Sequence, residues 1–327
     1  DLYLNATVTG LISKRNSEGG VEVTEALIYQ KNRVEKKISA KIFVVATGGI
    51  ESTRLLLSSN NLSKNGLGNE NDQVGRYIMN HPKNYFGKLV LKRAVNNIPY
   101  YFGYSFGGFA VYAGFRLNEE LQKSLKVLNS YLRFEPIFPW TDNRGVESLI
   151  LLVRKARFFL SWWKNKQSKI INLRDWNETG DDLNDRDNIN EKYWFFKAII
   201  NIIKNIKAVI SYTFYRLIGG SGPQVKIIRL RNFMEVEPRP ENRITLSDVY
   251  DENKVKIPIV TLNTSTLDKK SVSELHRVFR EEIEKMDIGN ISGDIENVKL
   301  WPIIFDASHH LGGTRMGDNP QISVVDR

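Results

Sequence analysis

The chain has 327 residues, with 47 Lys and Arg against 37 Asp and Glu, a net charge of +10, 41% hydrophobic residues and no cysteine. This length and apolar content suit a folded chain of about two domains and exclude disordered, fibrous and disulfide-stapled classes. The absence of thiols removes thiolate metal sites and a cysteine nucleophile, and no apolar run reaches the length of a spanning helix, so the expectation is a soluble globular chain. The positive excess would suit an anionic partner. Because Lys, Asn and Ile are abundant throughout, the plainer reading is compositional drift.

The chain begins with Asp1 directly in a strand pattern, which predicts that it is cut at its start and leaves no targeting signal to read. Residues 3–14, YLNATVTGLISK, alternate apolar and polar, NSEGG supplies turn chemistry, and VEVTEALIYQ alternates again. The pattern predicts a β-hairpin. KIFVVATGGIESTRLLLSSN then reads as a buried strand, a glycine turn and a helix carrying Leu55, Leu56 and Leu57. At that turn Thr47, Gly48 and Gly49 would present backbone N–H groups beside a helix N-terminus, a corner suited to a phosphate or ribose. An ordinary strand-to-helix connection explains the same text.

From about residue 84 the texture becomes aromatic and strand-like, as in YYFGYSFGGFAVYAGF, which places the start of a second domain there. RDWNETGDDLNDRDNINEK reads as a solvated loop. The segment 193–218 that follows is basic and amphipathic, with Lys197, Asn201, Lys204 and Asn205 on one stripe. It fits either an interfacial helix on an anionic membrane or a helix packed across a domain with its lysines solvated. VKIIRLRNFMEVEP and RPENRITLSD return to strand character. STLDKKSVSELHRVFREEIEKM is an amphipathic helix with Val272, Leu275, Val278, Phe279, Ile283 and Met286 on its apolar face and His276 beside it, expected half-exposed. His81, before a proline in MNHPKN, reads as a structural hydrogen-bonding residue, with a place beside a ligand as the lesser alternative.

Near the end stands FDASHHLGGTRMGDNP, which holds two of the four histidines. Neighbours on an extended backbone point to opposite sides, so only one of His309 and His310 should act at a given site. A metal site of Asp306 with both histidines conflicts with that geometry; with one histidine turned away, a third and fourth ligand are lacking. Gly312 and Gly313 would let the main chain pass close to a flat ligand, and a neutral His309 imidazole could accept a proton there.

SHHLGGTRMGDNPQISVVD closely resembles the C-terminal signature of the glucose–methanol–choline (GMC) flavoprotein oxidoreductases. VVATGGIESTRLLLSS, VGRYIMNHP and PRPENRITLSD resemble three further segments of that family in the family's order, whereas residues 90–225 carry almost no recognisable pattern. The resemblance implies an α/β plus α+β fold: a discontinuous Rossmann-like FAD-binding domain, here incomplete, and a substrate-binding domain with a mixed or antiparallel sheet covered by helices. The implied division is 1–83 and 294–327 in the FAD-binding domain, the latter with the active-site segment, and 84–293 in the substrate-binding domain. It further implies FAD as cofactor and oxidation of a CH–OH group to a carbonyl, with His309 taking the hydroxyl proton while hydride passes to flavin N5. Gly312, Gly313 and Thr314 would lie against the isoalloxazine, Ala46, Thr47, Gly48 and Gly49 against the adenosine and diphosphate side, and Val8 would meet adenine through its main chain. His310, Asn80 and His81 fall in the flavin or substrate vicinity; Asn80 stands where an Asp is more usual.

Two departures matter. No Gly-x-Gly-x-x-Gly follows a first strand, and the text stops before the family's second catalytic residue, so the chain reads as an internal fragment, inactive alone and a poor FAD binder. Expected partners are an alcohol or sugar substrate and an electron acceptor left open between oxygen, quinone and cytochrome, with a peripheral membrane contact as a further reading and nucleic acid not among them. Two alternatives stand beside the oxidoreductase: a non-redox membrane- or polyanion-binding module using 193–218, and a lyase-like descendant that binds FAD without being reduced. Substrate, covalent attachment of FAD, compartment and oligomeric state leave no readable trace.

Overall fold

The computed structural model describes residues 4, 6–30, 35–95, 104–106, 109–111, 114–164, 194–218, 224–303 and 309–327. Its elements are β1 (Ala6–Arg15), β2 (Val21–Gln30), β3 (Glu35–Ser39), α1 (Gly49–Ser58), β4 (Lys83–Val95), β5 (Tyr104–Phe106), β6 (Phe109–Val111), β7 (Gly114–Arg116), α2 (Glu119–Leu125), β8 (Ser130–Pro136), α3 (Arg144–Lys164), α4 (Trp194–Lys204), α5 (Ile206–Ile218), β9 (Val225–Met234), β10 (Arg243–Tyr250), β11 (Lys256–Thr261), α6 (Thr266–Lys285) and β12 (Gly289–Ser292). Helices are thus mixed with sheets, and the pairings β1–β2, β2–β3, β5–β6, β7–β8 and β10–β11 are antiparallel. The largest sheet has five strands in the order β12-β4-β9-β8-β7.

The expected hairpin forms. Asn16 closes its turn by accepting the N–H groups of Glu18 and Gly20 on its side-chain oxygen, and Gly19 takes the positive φ of 83° that such a turn demands. Helix α1 packs on β1, and Leu11, Ala26 and Leu55 form a small core with Phe43 and Leu67 against it. Ser59 stitches the two elements together, accepting the N–H of Leu11 and donating to the carbonyl of Leu55. On the other side, the Arg54 guanidinium reaches the Lys256 carbonyl at 2.8 Å and the Asp251 carboxylate at 2.6 Å, which ties α1 to the β10–β11 hairpin.

Helix α6 starts with a capping box, in which Ser265 accepts the N–H of Asp268 and Asp268 accepts that of Ser265. Its face of Val272, Leu275, Phe279 and Ile283 is buried. Val272 joins Met234, Ile295 and Ile303 in a second core, and Phe279 stacks on Phe134.

By packing, the chain divides into two compact units: Asp1–Lys88, Ala113–Phe134 and Leu230–Arg327 in one, and Leu89–Tyr112 and Glu135–Arg229 in the other. The expected division at 83/84 and 293/294 is one of roles, which a packing division does not test. In the second unit, α3 packs on both α4 and α5. Gly145 lets the α3–α4 approach happen, since a Cβ there would overlap Asn205. Phe138, Trp140 and Tyr215 make an aromatic cluster, with Trp140 to Tyr215 at 5.2 Å.

Three expectations need correction. Residues 41–45 do not form a buried strand: Ile42 and Val44 are 80% and 82% exposed, and only Phe43 turns inward to the small core. A run apolar on both faces needs covered neighbours on both sides to hold as a strand, and among the described residues none pairs with it. His276 is not half-exposed but 2% exposed, because the buried stripe runs through 272, 276, 279 and 283. The stripe of Lys197, Asn201, Lys204 and Asn205 is not uniform: the two lysines are exposed, whereas Asn201 and Asn205 turn to Ser148 and Asn143. The Asp- and Asn-rich loop, residues 174–192, lies outside the described residues.

Candidate functional site

The segment carrying the paired histidines is placed by an irregular stretch at 75–79, in which Gly75 and Tyr77 take positive φ of 91° and 59°. On one side this stretch meets β10 and its approach: Ile244 N–H donates to the Gly75 carbonyl at 2.8 Å and Ile78 N–H to the Asn242 carbonyl at 2.9 Å. On the other side Met79 and Leu311 exchange N–H···O bonds of 2.8 and 3.0 Å, and Gly75 and Arg76 bond the main chain of Gly313. Asp72 locks the arrangement with ion pairs to Arg76 and Arg243, and the hydrogen bond from Arg243 holds its carboxyl below the usual carboxylate range. Arg315 lies over the Tyr77 ring, 4.4 Å from its centre.

Glycine is required in this layer by the protein's own backbone. At Gly312, φ is +89° and a Cβ would overlap the Tyr77 carbonyl; at Gly313, φ is +79° and a Cβ would overlap the Thr53 hydroxyl. The room these glycines make on those sides is therefore filled by residues 77 and 53, a packing duty that the ligand-approach argument did not foresee. Gly48 differs: at φ 86° and ψ 165° it lies in a region open essentially to glycine alone, and a Cβ there would meet nothing within 4 Å. It is the N-cap of α1 with no side-chain cap, so N–H groups of the first turn remain available for an acceptor. Thr47 and Ser52 share a hydroxyl hydrogen bond of 3.0 Å beside it.

The two motifs meet. A Cβ at Gly49 would lie 3.4 Å from the Cβ and carbonyl oxygen of His310, so the histidine segment runs against the N-terminal turn of α1. Thr47, Gly48, Gly49, His310, Gly312 and Gly313 thus belong to one neighbourhood, with Ala46 and Thr314 adjoining in sequence. Val8 sits in β1 opposite Ile28, at the edge of a register shift, and nothing among the described contacts links it to that turn.

His309 has a positive φ of 62° and an exposed ring that stacks on His81, with centroids 5.9 Å apart and planes 8° from parallel. The left-handed backbone turns His309 away from His310, so the adjacent pair serves two places. His81 is oriented by its Nδ1, 3.0 Å from the Met234 carbonyl; a carbonyl only accepts, so Nδ1 carries the proton. Asn80 is buried beside it. Beyond His81 lie Phe233 at 5.4 Å and Tyr131 at 6.4 Å, themselves stacked at 4.6 Å with planes 2° apart. Arg231 lies over both the Phe233 and Tyr85 rings. Burial pushes the Tyr131 phenol up, which keeps it neutral at ordinary pH. Tyr131, Phe233 and Arg231 escaped the sequence reading. They lie on β8 and β9, whose alternation was legible only for β9, and the cross-strand stacking that joins them to His81 has no local signal.

No family model matches the chain. It is similar to the fructose dehydrogenase large subunit of Gluconobacter japonicus, with 24% identity over 313 residues that cover 93% of this chain and 43% of that protein. The chain therefore spans less than half the length of the curated relative it matches.

Proposed function

We propose that this chain is part of an FAD-dependent oxidoreductase of the GMC type, oxidising a CH–OH group of a sugar, polyol or other alcohol to a carbonyl. The observation that carries the reading is the meeting of the His309–Thr314 segment with the uncapped glycine turn of α1. The similarity along 93% of the chain to a sugar dehydrogenase subunit supports it.

The residues present fit the cofactor on two counts: Gly48 leaves open space in a conformation only glycine adopts readily, and the first-turn N–H groups suit a diphosphate. Thr47, Gly48 and Gly49 would hold that side, and His310 through Thr314 the ring side. When bound, the flavin supplies the acceptor for a hydride. His309 takes the substrate hydroxyl proton, and the charge left on oxygen weakens the neighbouring C–H bond; such general-base help contributes about 10²- to 10⁴-fold. His81, held by the Met234 carbonyl, fixes the His309 ring plane by stacking. The exposed Tyr131 ring, backed by the buried Phe233 on which it stacks, offers a flat face of the kind sugar C–H groups pack on. The electron acceptor is oxygen, a quinone or a cytochrome.

The test is the visible spectrum of the holoenzyme before and after anaerobic addition of sugars and alcohols. A flavin spectrum that bleaches with one substrate, and in His309→Ala persists unbleached with flavin still bound, is the expected result. A folded full-length protein that cannot be loaded with flavin, or His309→Ala bleaching at the wild-type rate, would overturn it.

A further inference from the structure

Helices α4 and α5 bury Ala198 and Val209 yet leave a second apolar face outside. Asn201 in α4 and Asn205 at the junction turn into the unit: Asn201 donates to the Ser148 hydroxyl at 3.2 Å, and the Asn143 amide donates to Asn205 at 3.2 Å. The hydrogen-bond ladder carries across the junction, since Asn205 N–H reaches the Asn201 carbonyl and Val209 N–H the Asn205 carbonyl. The opposite face is apolar and open. Phe196, Ile203, Phe214 and Leu217 are 65%, 65%, 64% and 80% exposed, and Ile200 and Ile210 fill the spaces between them. Spacings of three, four and seven keep these six along one side of consecutive helical turns.

The charges on this stretch are of one sign. Residues 194–218 contain Lys197, Lys204, Lys207 and Arg216 and no Asp or Glu, and all four cations are exposed. A second copy of the chain would bring like charges together on the same stripe. A protein groove could cover the apolar part but leaves the lysines beside and within the stripe, Lys197, Lys204 and Lys207, unexplained. A bilayer surface answers both features: acyl chains receive Phe and Ile side chains to a shallow depth, while the lysines reach back to lipid phosphates. Among the described residues no helix is long and apolar enough to cross a membrane. We propose that the α4–α5 face docks the protein on anionic phospholipid, lying in the interface.

This inference does not depend on the redox reading. The test is sedimentation of the full protein with phosphatidylglycerol-containing vesicles, against vesicles of phosphatidylcholine alone. Binding is expected to the anionic vesicles and to weaken at least about tenfold with added salt. Phe196→Glu/Ile203→Glu/Phe214→Glu should abolish it, and Lys204→Gln/Lys207→Gln should weaken it about tenfold. Because these side chains are exposed, both variants should melt like the wild type. No binding to anionic vesicles, binding that the triple Glu variant leaves unchanged, or a concentration-dependent dimer that the triple variant dissociates without any vesicle binding would each overturn the proposal. Flavin bleaching in the triple variant should match the wild type, so a failure here is distinct from a failure of the proposed activity.

Discussion

Burial holds the His276 imidazole well below its ordinary range, at about 4, with Arg280 adding to the effect. Its Nε2 donates to Asn232, while Nδ1 is buried without a hydrogen-bond partner among the described residues, so a second proton has nothing to meet. The unfolded chain binds a proton below about pH 6.5 and the folded chain only near 4. Stability contributed by the neutral ring is therefore present above pH 6.5 and falls as pH drops through that window, by about 3 kcal/mol at most. Urea unfolding at pH 7 and pH 4.5 should show this loss in the wild type, and His276→Gln should flatten it. An equal pH dependence in both would remove His276 from the account. At the candidate site, Tyr131→Phe should leave turnover nearly intact and Tyr131→Ala should lower kcat/KM about tenfold through KM, since the wall acts by contact area. The histidines were legible as residues worth attention, but their partners were not: His81 meets Phe233 and Met234 across more than 150 positions of chain, a distance no local pattern spans.

At the scale of elements, the stretch 75–79 between β10 and the 311–313 segment is what aims His309. Gly312→Ala places a methyl on the Tyr77 carbonyl at a positive φ, and neither backbone can yield cheaply. A loss of about 2–4 kcal/mol in thermal or urea unfolding is expected. Gly48→Ala should cost less, about 1–3 kcal/mol from its backbone conformation alone, because no atom stands in its way. Equal losses in the two variants would show that packing at Gly312 is not what distinguishes them. Hairpin β1–β2, helix α1 and helix α6 were readable because their periods, caps and turn residues act within a few positions. The apolar run 41–45 misled for the complementary reason: strand propensity is realised only when a neighbouring strand accepts its backbone.

For the whole molecule, the excess of ten positive charges is a surface property that bears on encounter rather than on fold. Oxidation of a neutral sugar or alcohol should hold its kcat/KM as salt rises, while vesicle binding falls over the same range. A parallel loss of both would point to an anionic substrate. The amino-acid sequence alone determined the short-range features: the hairpin, the amphipathic helix α6, the glycine turn before α1 and the histidine–glycine segment. Only tertiary structure decided that the last two touch through Gly49 and His310, that His276 is sealed inside, and that Asn201 and Asn205 turn inward to leave phenylalanine and isoleucine outside. The reason is physical: periodicity states which residues share a face, but which face is covered depends on neighbours that the chain brings from far away.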